Sequence, residues 1–262
     1  MSKIIAISNR RGKMGKSTTA VNLAIAFAYS GKKTLLVDMD SAGSCAIAFG
    51  FNKKDTTNDI FNGSKPEISF KKSILKTGVK KLELIHIKKL PYLDEHKAGG
   101  ISANEHILKS ILKPATAGYD YVIMDCPPYH AGTINASLIA ADSVIVPVAT
   151  GNLSTAAVRS VLAQIDEIRK NFNSNLIIDG ILLTIYEYNN ENSFNLKKEL
   201  FKDYPKLIFN TSIPKSLTVS EAYENNKPLL IYKPEDRASK AYLKVADEFF
   251  ERKSLFNSKS KN

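Results

Sequence analysis

A lysine, a serine and two glycines near the N-terminus have the types and spacing of a phosphate-binding site. Residues 8–19 read S-N-R-R-G-K-M-G-K-S-T-T, with Lys16 directly before Ser17. In a phosphate-binding loop the lysine reaches the β- and γ-phosphates, and the adjacent hydroxyl binds Mg2+. An apolar run precedes this loop and an amphipathic run follows it, which is the order strand, loop, helix. The helix N-terminus adds unpaired N–H groups and the positive end of its dipole. The sequence therefore predicts binding of a nucleoside triphosphate.

Two carboxylates lie at the end of a second apolar run. Residues 35–40 read L-L-V-D-M-D, so Asp38 and Asp40 are two positions apart. Alternation along a strand puts both on one side, at the carboxyl edge where doubly wound sheets bind ligands. The alternative is a structural role, in which the paired acids cap the helix that follows.

A third apolar run also ends in an acid. Residues 119–128 read Y-D-Y-V-I-M-D-C-P-P, and Asp125 stands at the end of the run. This is the Walker B arrangement, in which the carboxylate is held near Mg2+, commonly through a water.

The order of the remaining segments predicts the fold. Short β-branched runs alternate with longer helical patterns, which indicates an α/β fold: a doubly wound, mostly parallel sheet with helices on both faces. We expect one domain over 1–253 and a polar C-terminal tail over 254–262. Strands are predicted at 3–8, 33–38, 82–87, 120–125, 143–148, 177–184 and 207–212. Helices are predicted at 16–30, 103–113, 133–140, 154–172, 193–203, 217–225 and 237–253, with a turn at 53–57 and a short helix at 59–61.

The charge of the chain indicates what kind of partner it binds. The chain has 262 residues, 44% of them hydrophobic, with a net charge of +11 and a pI near 9.4. This excess of positive charge favours a polyanionic partner, either nucleic acid or an acidic membrane surface. The alternative is a lysine-rich solvated surface.

The cysteines and the hydropathy indicate the compartment. Cys45 and Cys126 lie in apolar segments without metal-ligand spacing, so they are interpreted as reduced core residues. The first residues enter a strand directly, so we expect no signal peptide, and no apolar run approaches the roughly 18 residues of a membrane span. We predict a cytoplasmic protein.

Together the three motifs resemble those of the ParA/MinD superfamily of deviant Walker A ATPases. The family loop is written K-G-G-x-G-K-[ST], and its second motif D-x-D-P-Q-G-N corresponds here to D-M-D-S-A-G-S. Segments 144–148, 179–184 and 211–232 also resemble family segments, and the chain is most similar to the small Soj-type ParA proteins. The resemblance implies a P-loop NTPase of the deviant Walker A type that uses ATP and Mg2+. It further implies slow, partner-stimulated hydrolysis to ADP and phosphate.

The resemblance also implies roles for individual residues. Asp40 would position or polarise the attacking water, with Lys16 and Arg11 as further catalytic residues, and Asp38 would support the magnesium shell. The metal-binding set is Ser17, Asp38 and Asp125. The ATP-binding set is Arg11, Gly12, Lys13, Met14, Gly15, Lys16, Ser17, Thr18 and Pro214.

Two loop positions depart from the family pattern. Arg11 stands where the family has the lysine that reaches the nucleotide of a partner subunit, and Lys13 replaces the second glycine. A side chain at Lys13 could clash if the backbone there requires a positive φ, or it could supply the second cation itself. Either Arg11 or Lys13 could therefore act across a dimer.

The DNA-binding arginines of Soj-type proteins are also absent. Their places correspond to Asn189 and Thr218. A relocated patch of cations would suffice for contacts to phosphates alone, although ordinary solvated helix faces would look the same. The candidate DNA-binding residues are Lys197, Lys198, Lys215, Arg237, Lys240 and Lys244.

Three functions compete. The first is a ParA-like ATPase in plasmid or chromosome partitioning: an ATP-bound homodimer binds DNA non-specifically on the nucleoid and is released by hydrolysis that a ParB-like protein stimulates. The second is an ATP-dependent positioning module, MinD-like or cargo-positioning, with weak or no hydrolysis and a protein or membrane partner. The apolar stripe at 249–256 is short and fits the core face of a closing helix equally well, which argues against membrane targeting. A metabolic enzyme of the same superfamily is a weaker third.

Overall fold

Seven strands in the described part of the chain form one sheet. The computed structural model describes residues 2–52, 66–87, 106–128, 131–150 and 155–259. The strand order is β3-β4-β2-β5-β1-β6-β7, and every neighbouring pair is parallel except β3 with β4. The strands are β1 Lys3–Ile7, β2 Thr34–Asp38, β3 Leu75–Lys76, β4 Leu82–His86, β5 Tyr121–Asp125, β6 Ser143–Ala149 and β7 Ile177–Thr184.

Helices connect the strands. They are α1 Lys16–Tyr29, α2 Ser44–Ala48, α3 Pro66–Lys72, α4 Ile107–Ala115, α5 Ala131–Ala140, α6 Thr155–Asn171, α7 Glu191–Asp203, α8 Thr218–Glu224, α9 Leu229–Tyr232 and α10 Arg237–Lys259. None of these helices combines the length and the apolar character needed to cross a bilayer.

The sheet carries a hydrophobic core on each face, because side chains alternate along its strands. Ile4 and Ala6 of β1 face a core built with residues of α3 to α7, whereas Ile5 and Ile7 face a core built with α1, α2, α8, α9 and α10. A strand buried on both faces reads as a continuous apolar run, as β1 does. The predicted doubly wound α/β fold is confirmed.

One predicted strand is wrong. Within 207–212 only Ile208 forms a bridge, with Ile181 of β7. The N–H groups of Asn210 and Thr211 donate to the Glu248 carboxylate at 2.8 and 3.1 Å, so this segment turns to α10 instead of extending the sheet.

The predicted C-terminal boundary is also wrong. Helix α10 continues to Lys259, whereas the sequence predicted its end at 253 and a polar tail from 254. Residues 254–259 contain neither glycine nor proline to stop a helix, and Arg252 pairs with Glu248 one turn earlier. Sequence reasoning missed α2, α3, α9 and β3. The predicted turn at 53–57, the short helix at 59–61 and the first residues of the helix predicted from 103 lie outside the described residues.

Candidate nucleotide-binding site

The loop between β1 and α1 is held in shape by hydrogen bonds to two strands of the sheet, β6 and β7. Asn9 is buried, donates from Nδ2 to the Pro147 oxygen of β6 at 2.8 Å, and accepts the Arg11 N–H at 3.0 Å. At the other end of the loop, the Thr184 hydroxyl of β7 donates to the Met14 oxygen at 3.0 Å. The ends of β6 and β7 therefore fix the loop before any ligand binds.

Two residues of this loop adopt left-handed backbone conformations. Gly15 has φ +75°, and a Cβ there would lie 3.5 Å from the Thr184 hydroxyl. Lys13, which replaces a family glycine, has φ 60°. A non-glycine residue in this region costs roughly 1 kcal/mol. The sequence raised the possibility of a clash at position 13 if the backbone there required a positive φ. The backbone does take a positive φ, and the Lys13 side chain avoids a clash by pointing into solvent.

Lys16 is a buried cation inside the loop. Its Nζ donates to the Arg11 oxygen at 2.8 Å. Burial lowers the pKa of Lys16, while the negative charges of Asp125 and Asp40 oppose that shift. The hydrogen bond to the Arg11 oxygen holds the ammonium inside the curve of the loop. Arg11 itself is exposed.

Asp125 ends β5 with one carboxylate oxygen lacking a partner. Its Oδ2 accepts from the Cys45 thiol at 3.3 Å, but Oδ1 is buried and has no hydrogen-bond partner among the described residues. Burial first, then the nearby charge of Asp38, raises the pKa of Asp125 to about 7, and the Ser17 hydroxyl and Lys16 ammonium oppose this. A buried unpaired oxygen of this kind fits Mg2+, which prefers oxygen ligands and retains its waters. Ser17 and Asp125 would hold the ion.

Asp38 at the end of β2 accepts hydrogen bonds from three backbone N–H groups. Its Oδ2 accepts the N–H groups of Cys45 and Ala46 at 2.9 and 3.2 Å, and its Oδ1 accepts that of Asp40 at 3.2 Å. Burial raises the pKa of Asp38 to about 6, and His86 opposes the shift. Asp38 therefore binds the first turn of α2, as in the structural alternative that the sequence left open, and its predicted support of the magnesium shell stays a prediction.

Asp40 is only half-buried and lies on a tightly held turn. Its Oδ1 accepts the Ala42 N–H at 3.0 Å, and its backbone oxygen accepts the Gly43 N–H at 2.9 Å. The same oxygen accepts from His86 Nε2 at 2.9 Å. Sequence reasoning missed His86, although it ends the buried strand β4 opposite Asp38 in the sheet register.

A cavity of about 490 Å³ opens beside the first turn of α1. Its size suits a small-molecule ligand. Asn22 helps to form one wall, because its Oδ1 accepts the Leu230 N–H and ties α9 to α1. Pro214 is buried and does not line this cavity, whereas Pro228, which was not singled out as a site residue, does. The lining includes Ser17, Thr18, Asn22, Ala48, Val219 and Tyr223.

The six candidate DNA-binding cations separate into two groups. Lys197 is half-buried, donates to the Asn210 oxygen and the Ser212 hydroxyl, and lies over the Tyr186 ring at 5.3 Å. Lys215 pairs with Glu187. These two cations therefore already have polar or charged partners within the chain. Exposed cations without an ion pair to a described residue are Lys198, Arg237, Lys240 and Lys244, although Arg237 lies over the Tyr188 ring at 5.6 Å.

Comparison with known proteins identifies relatives over nearly the whole chain. A family model described as an AAA domain matches residues 2–178. The chain is 33% identical over 249 residues to the sporulation initiation inhibitor protein Soj of Bacillus subtilis, covering 95% of this chain and 98% of Soj. It is 31% identical over 256 residues to the chromosome partitioning protein ParA of Caulobacter vibrioides, covering 95% and 94%.

Solved structures share the fold. The septum site-determining protein MinD of Pyrococcus horikoshii, complexed with Mg-ADP, has a TM-score of 0.76 at 21% identity, covering 95% of this chain and 96% of MinD. Cobyrinic acid a,c-diamide synthase of Mycobacterium smegmatis, bound to an ATP analogue and magnesium, has a TM-score of 0.74 at 23% identity, covering 94% and 93%. Both structures are nucleotide complexes of proteins with the same fold.

Proposed function

This chain belongs to the ParA/MinD superfamily of deviant Walker A ATPases, and we propose that it moves or anchors DNA by cycling between an ATP-bound dimer and a released monomer. It is a ParA-like ATPase that uses ATP and Mg2+. In the proposed cycle the ATP-bound homodimer binds DNA non-specifically, and hydrolysis releases the DNA. A ParB-like protein stimulates this hydrolysis. The cycle would operate in the cytoplasm, on the nucleoid.

The observation that carries the proposal is the braced loop, in which the buried Lys16 ammonium donates to the Arg11 oxygen while Asp125 keeps a buried carboxylate oxygen without a partner among the described residues. When bound, Mg2+ neutralises charge on the β- and γ-phosphate oxygens. The Lys16 ammonium exchanges its bond to the Arg11 oxygen for phosphate oxygens. The half-buried Asp40 carboxylate orients a water for attack on the γ-phosphorus, which gives ADP and inorganic phosphate. Positioning and charge stabilisation account for most of the catalysis in phosphoryl transfer.

The loop also supports closure of two subunits around the nucleotides. Arg11 and Lys13 are both exposed on the loop that holds the phosphates. The two side chains are therefore free to approach a triphosphate held by a second copy. A planar guanidinium would bond phosphate oxygens in pairs, whereas an ammonium would act as a point charge. Closure would in either case require bound triphosphate.

The exposed cations of α10 support a DNA-binding face. Arg237, Lys240 and Lys244 are spaced three and four residues apart, which places them on one side of the helix. Phosphate contacts need positive charge and no base readout, so such a face binds unrelated sequences alike. The net charge of +11 acts in the same direction.

Binding to fluorescent duplexes of two unrelated sequences, with ATP and then with ADP, tests the proposal. We expect equal retention of both duplexes with ATP only, and a log–log salt slope of about −0.9 per phosphate neutralised. The double variant Lys240→Glu/Lys244→Glu should bind DNA more weakly with unchanged ATP affinity. Its matched control is Lys71→Glu/Lys72→Glu on α3, which changes the net charge equally at another exposed helix.

Absence of ATP-dependent DNA retention at low salt would refute the DNA step. The same ATPase would then serve as a positioning module whose partner is a protein or membrane surface. An equal loss in the α3 control would show that net charge, and not the α10 face, governs binding.

A further inference from the structure

Behind the phosphate-binding loop, a thiol lies between two carboxylates. The ligand atoms of Asp38, Cys45 and Asp125 are all within 4.8 Å of one another, and all three residues are buried. We call this group the Asp-Cys-Asp cluster. It joins the ends of β2 and β5 to the first turn of α2.

The distance between the thiol and Asp125 fits a metal bridge. Cys45 Sγ donates its proton to Asp125 Oδ2 at 3.3 Å. Zn2+ binds thiolate sulfur at about 2.3 Å and carboxylate oxygen at about 2.0–2.2 Å, so tetrahedral ligands lie roughly 3.5 Å apart. An ion in place of the thiol proton therefore needs only a few tenths of an ångström of adjustment.

The carboxylates retain the capacity to bind an ion. Asp125 Oδ1 is buried without a hydrogen-bond partner in the described ranges, and this observation is independent of the cysteine. Asp38 Oδ1 accepts a single N–H, from Asp40, and so keeps a lone pair. Two adjacent buried carboxylates with this unused capacity are stabilised by a divalent cation.

We propose that the Asp-Cys-Asp cluster is a site for a thiophilic divalent cation, Zn2+ or its analogue Cd2+, distinct in chemistry from the magnesium site. The Cys45 thiolate and the carboxylates of Asp38 and Asp125 supply three ligands, and water takes the fourth position. The bond from Cys45 sulfur to hydrogen is exchanged for a bond to the metal, and the proton is released to solvent. No electron is transferred.

The site has a consequence for the nucleotide cycle. Mg2+ is a hard cation that takes oxygen ligands, so the thiolate selects against it, while Asp125 is shared between the two sites. The thiophilic ion and Mg2+ with ATP therefore compete. The proposal goes beyond DNA partitioning, and its test needs neither DNA nor hydrolysis.

Ultraviolet absorption of the metal-stripped full chain during a Cd2+ titration tests the site, because a cadmium–thiolate bond has a charge-transfer band. We expect the band to saturate at one ion per chain, with release of protons. Cys45→Ser should abolish the band and weaken Cd2+ binding by more than about 10- to 100-fold. That range is the usual loss of metal affinity when a residue that only hydrogen-bonds to a metal ligand is removed. Cys126→Ser is the matched control, because Cys126 is the other buried free thiol and lies outside the Asp-Cys-Asp cluster.

Competition completes the test. Zn2+ should displace Cd2+ and remove the band, and Mg2+ with ATP should raise the Cd2+ concentration needed to produce it. A folded wild-type chain without the band overturns the proposal, and so does a band that survives in Cys45→Ser or disappears in Cys126→Ser. If Cys45→Ser fails to fold, Cys45→Ala replaces it in the same titration. Circular dichroism checks that each variant is folded.

Discussion

His86 donates a hydrogen bond from Nε2 to the backbone oxygen of Asp40 at 2.9 Å, across the boundary between β4 and the turn after β2. The imidazole is buried, and it also lies beside Gly43, where a Cβ would come within 3.1 Å of its Cε1. The direction of the Asp40 carboxylate is therefore set by a neighbouring strand as well as by its own turn.

Removal of this donor should reduce hydrolysis more than ATP binding. We expect His86→Leu to lower kcat by about 10- to 100-fold with little change in KM, because a displaced Asp40 no longer orients the water. His86→Gln places an amide donor near the Nε2 position and should restore much of kcat. Steady-state ATPase kinetics measure both constants.

The structural control for His86 is Asn173→Leu. Asn173 is another buried donor, which bonds the oxygens of Leu138, Ile139 and Ala141 away from the loop. The Asn173→Leu substitution should lower the free energy of unfolding without altering kcat. Equal kcat losses in His86→Leu and His86→Gln would show that His86 does not act through its hydrogen bond.

Lys16→Ala should remove the stabilisation that ATP confers. At 100-fold excess over Kd this stabilisation is about 2.7 kcal/mol, or roughly 5–10 °C in Tm for a chain of this size. Lys81→Ala is the matched control, since Lys81 also donates to a backbone oxygen, that of Gly31, but outside the loop. A thermal shift that persists in Lys16→Ala would place the nucleotide elsewhere.

Asp40→Ala and Asp125→Ala should fail at different steps. Asp40→Ala should lose the activation of water but keep phosphate binding, so its dimer should accumulate in the presence of ATP. Size-exclusion chromatography measures the dimer. Asp125→Ala should weaken Mg2+-dependent ATP binding, measured by calorimetry with and without Mg2+. An Asp40→Ala chain that stays monomeric with ATP, where the wild type dimerises, would contradict the role assigned to Asp40.

Variants at Lys13 separate backbone strain from charge. Lys13→Gly relieves the positive φ and should stabilise the monomer by about 0.5–1 kcal/mol, whereas Lys13→Ala removes the charge and keeps the strain. Arg11→Ala should impair dimerisation and turnover while ATP affinity of the monomer is nearly intact. If Lys13→Ala removes the dimer and Arg11→Ala does not, Lys13 is the cation that crosses the interface.

The raised pKa of Asp125 predicts how stability depends on pH without divalent cations. Between the ordinary pKa of 3.8 and about 7 the folded chain holds this proton more tightly than the unfolded chain. The free energy of unfolding should therefore fall as the pH rises through this window. In EDTA, the Tm of Asp125→Asn should lie above that of the wild type at pH 8, and the difference should be smaller at pH 5. Differential scanning fluorimetry measures both values.

Asp247→Asn, at an exposed site, is the control and should follow the wild type at both pH values. A wild-type Tm that rises from pH 5 to pH 8 would show that burying Asp125 carries no such cost.

The sequence by itself predicted the six parallel strands of the sheet and the chemistry of the loop. An apolar run buried on both faces, as in β1 or β5, leaves no other stable packing, and the glycine, lysine and serine of the loop have local geometric requirements. Thus Lys16, Ser17 and Asp125 could be placed from their spacing alone. The resemblance to the ParA/MinD superfamily was also carried by local motifs.

Only the tertiary structure decided which groups pair across distant parts of the chain. The Asp38 carboxylate accepts the N–H groups of Cys45 and Ala46 because α2 begins beside the end of β2, a contact that the spacing of the acids did not specify. Segment 207–212 pairs with β7 at a single bridge, and the next two N–H groups, those of Asn210 and Thr211, donate to Glu248, far along the chain. The spacing of residues in the sequence indicates which side chains are neighbours along one strand or helix. The hydrogen bond between His86 and Asp40, and the thiol between two carboxylates, form only when strands from separate segments lie side by side.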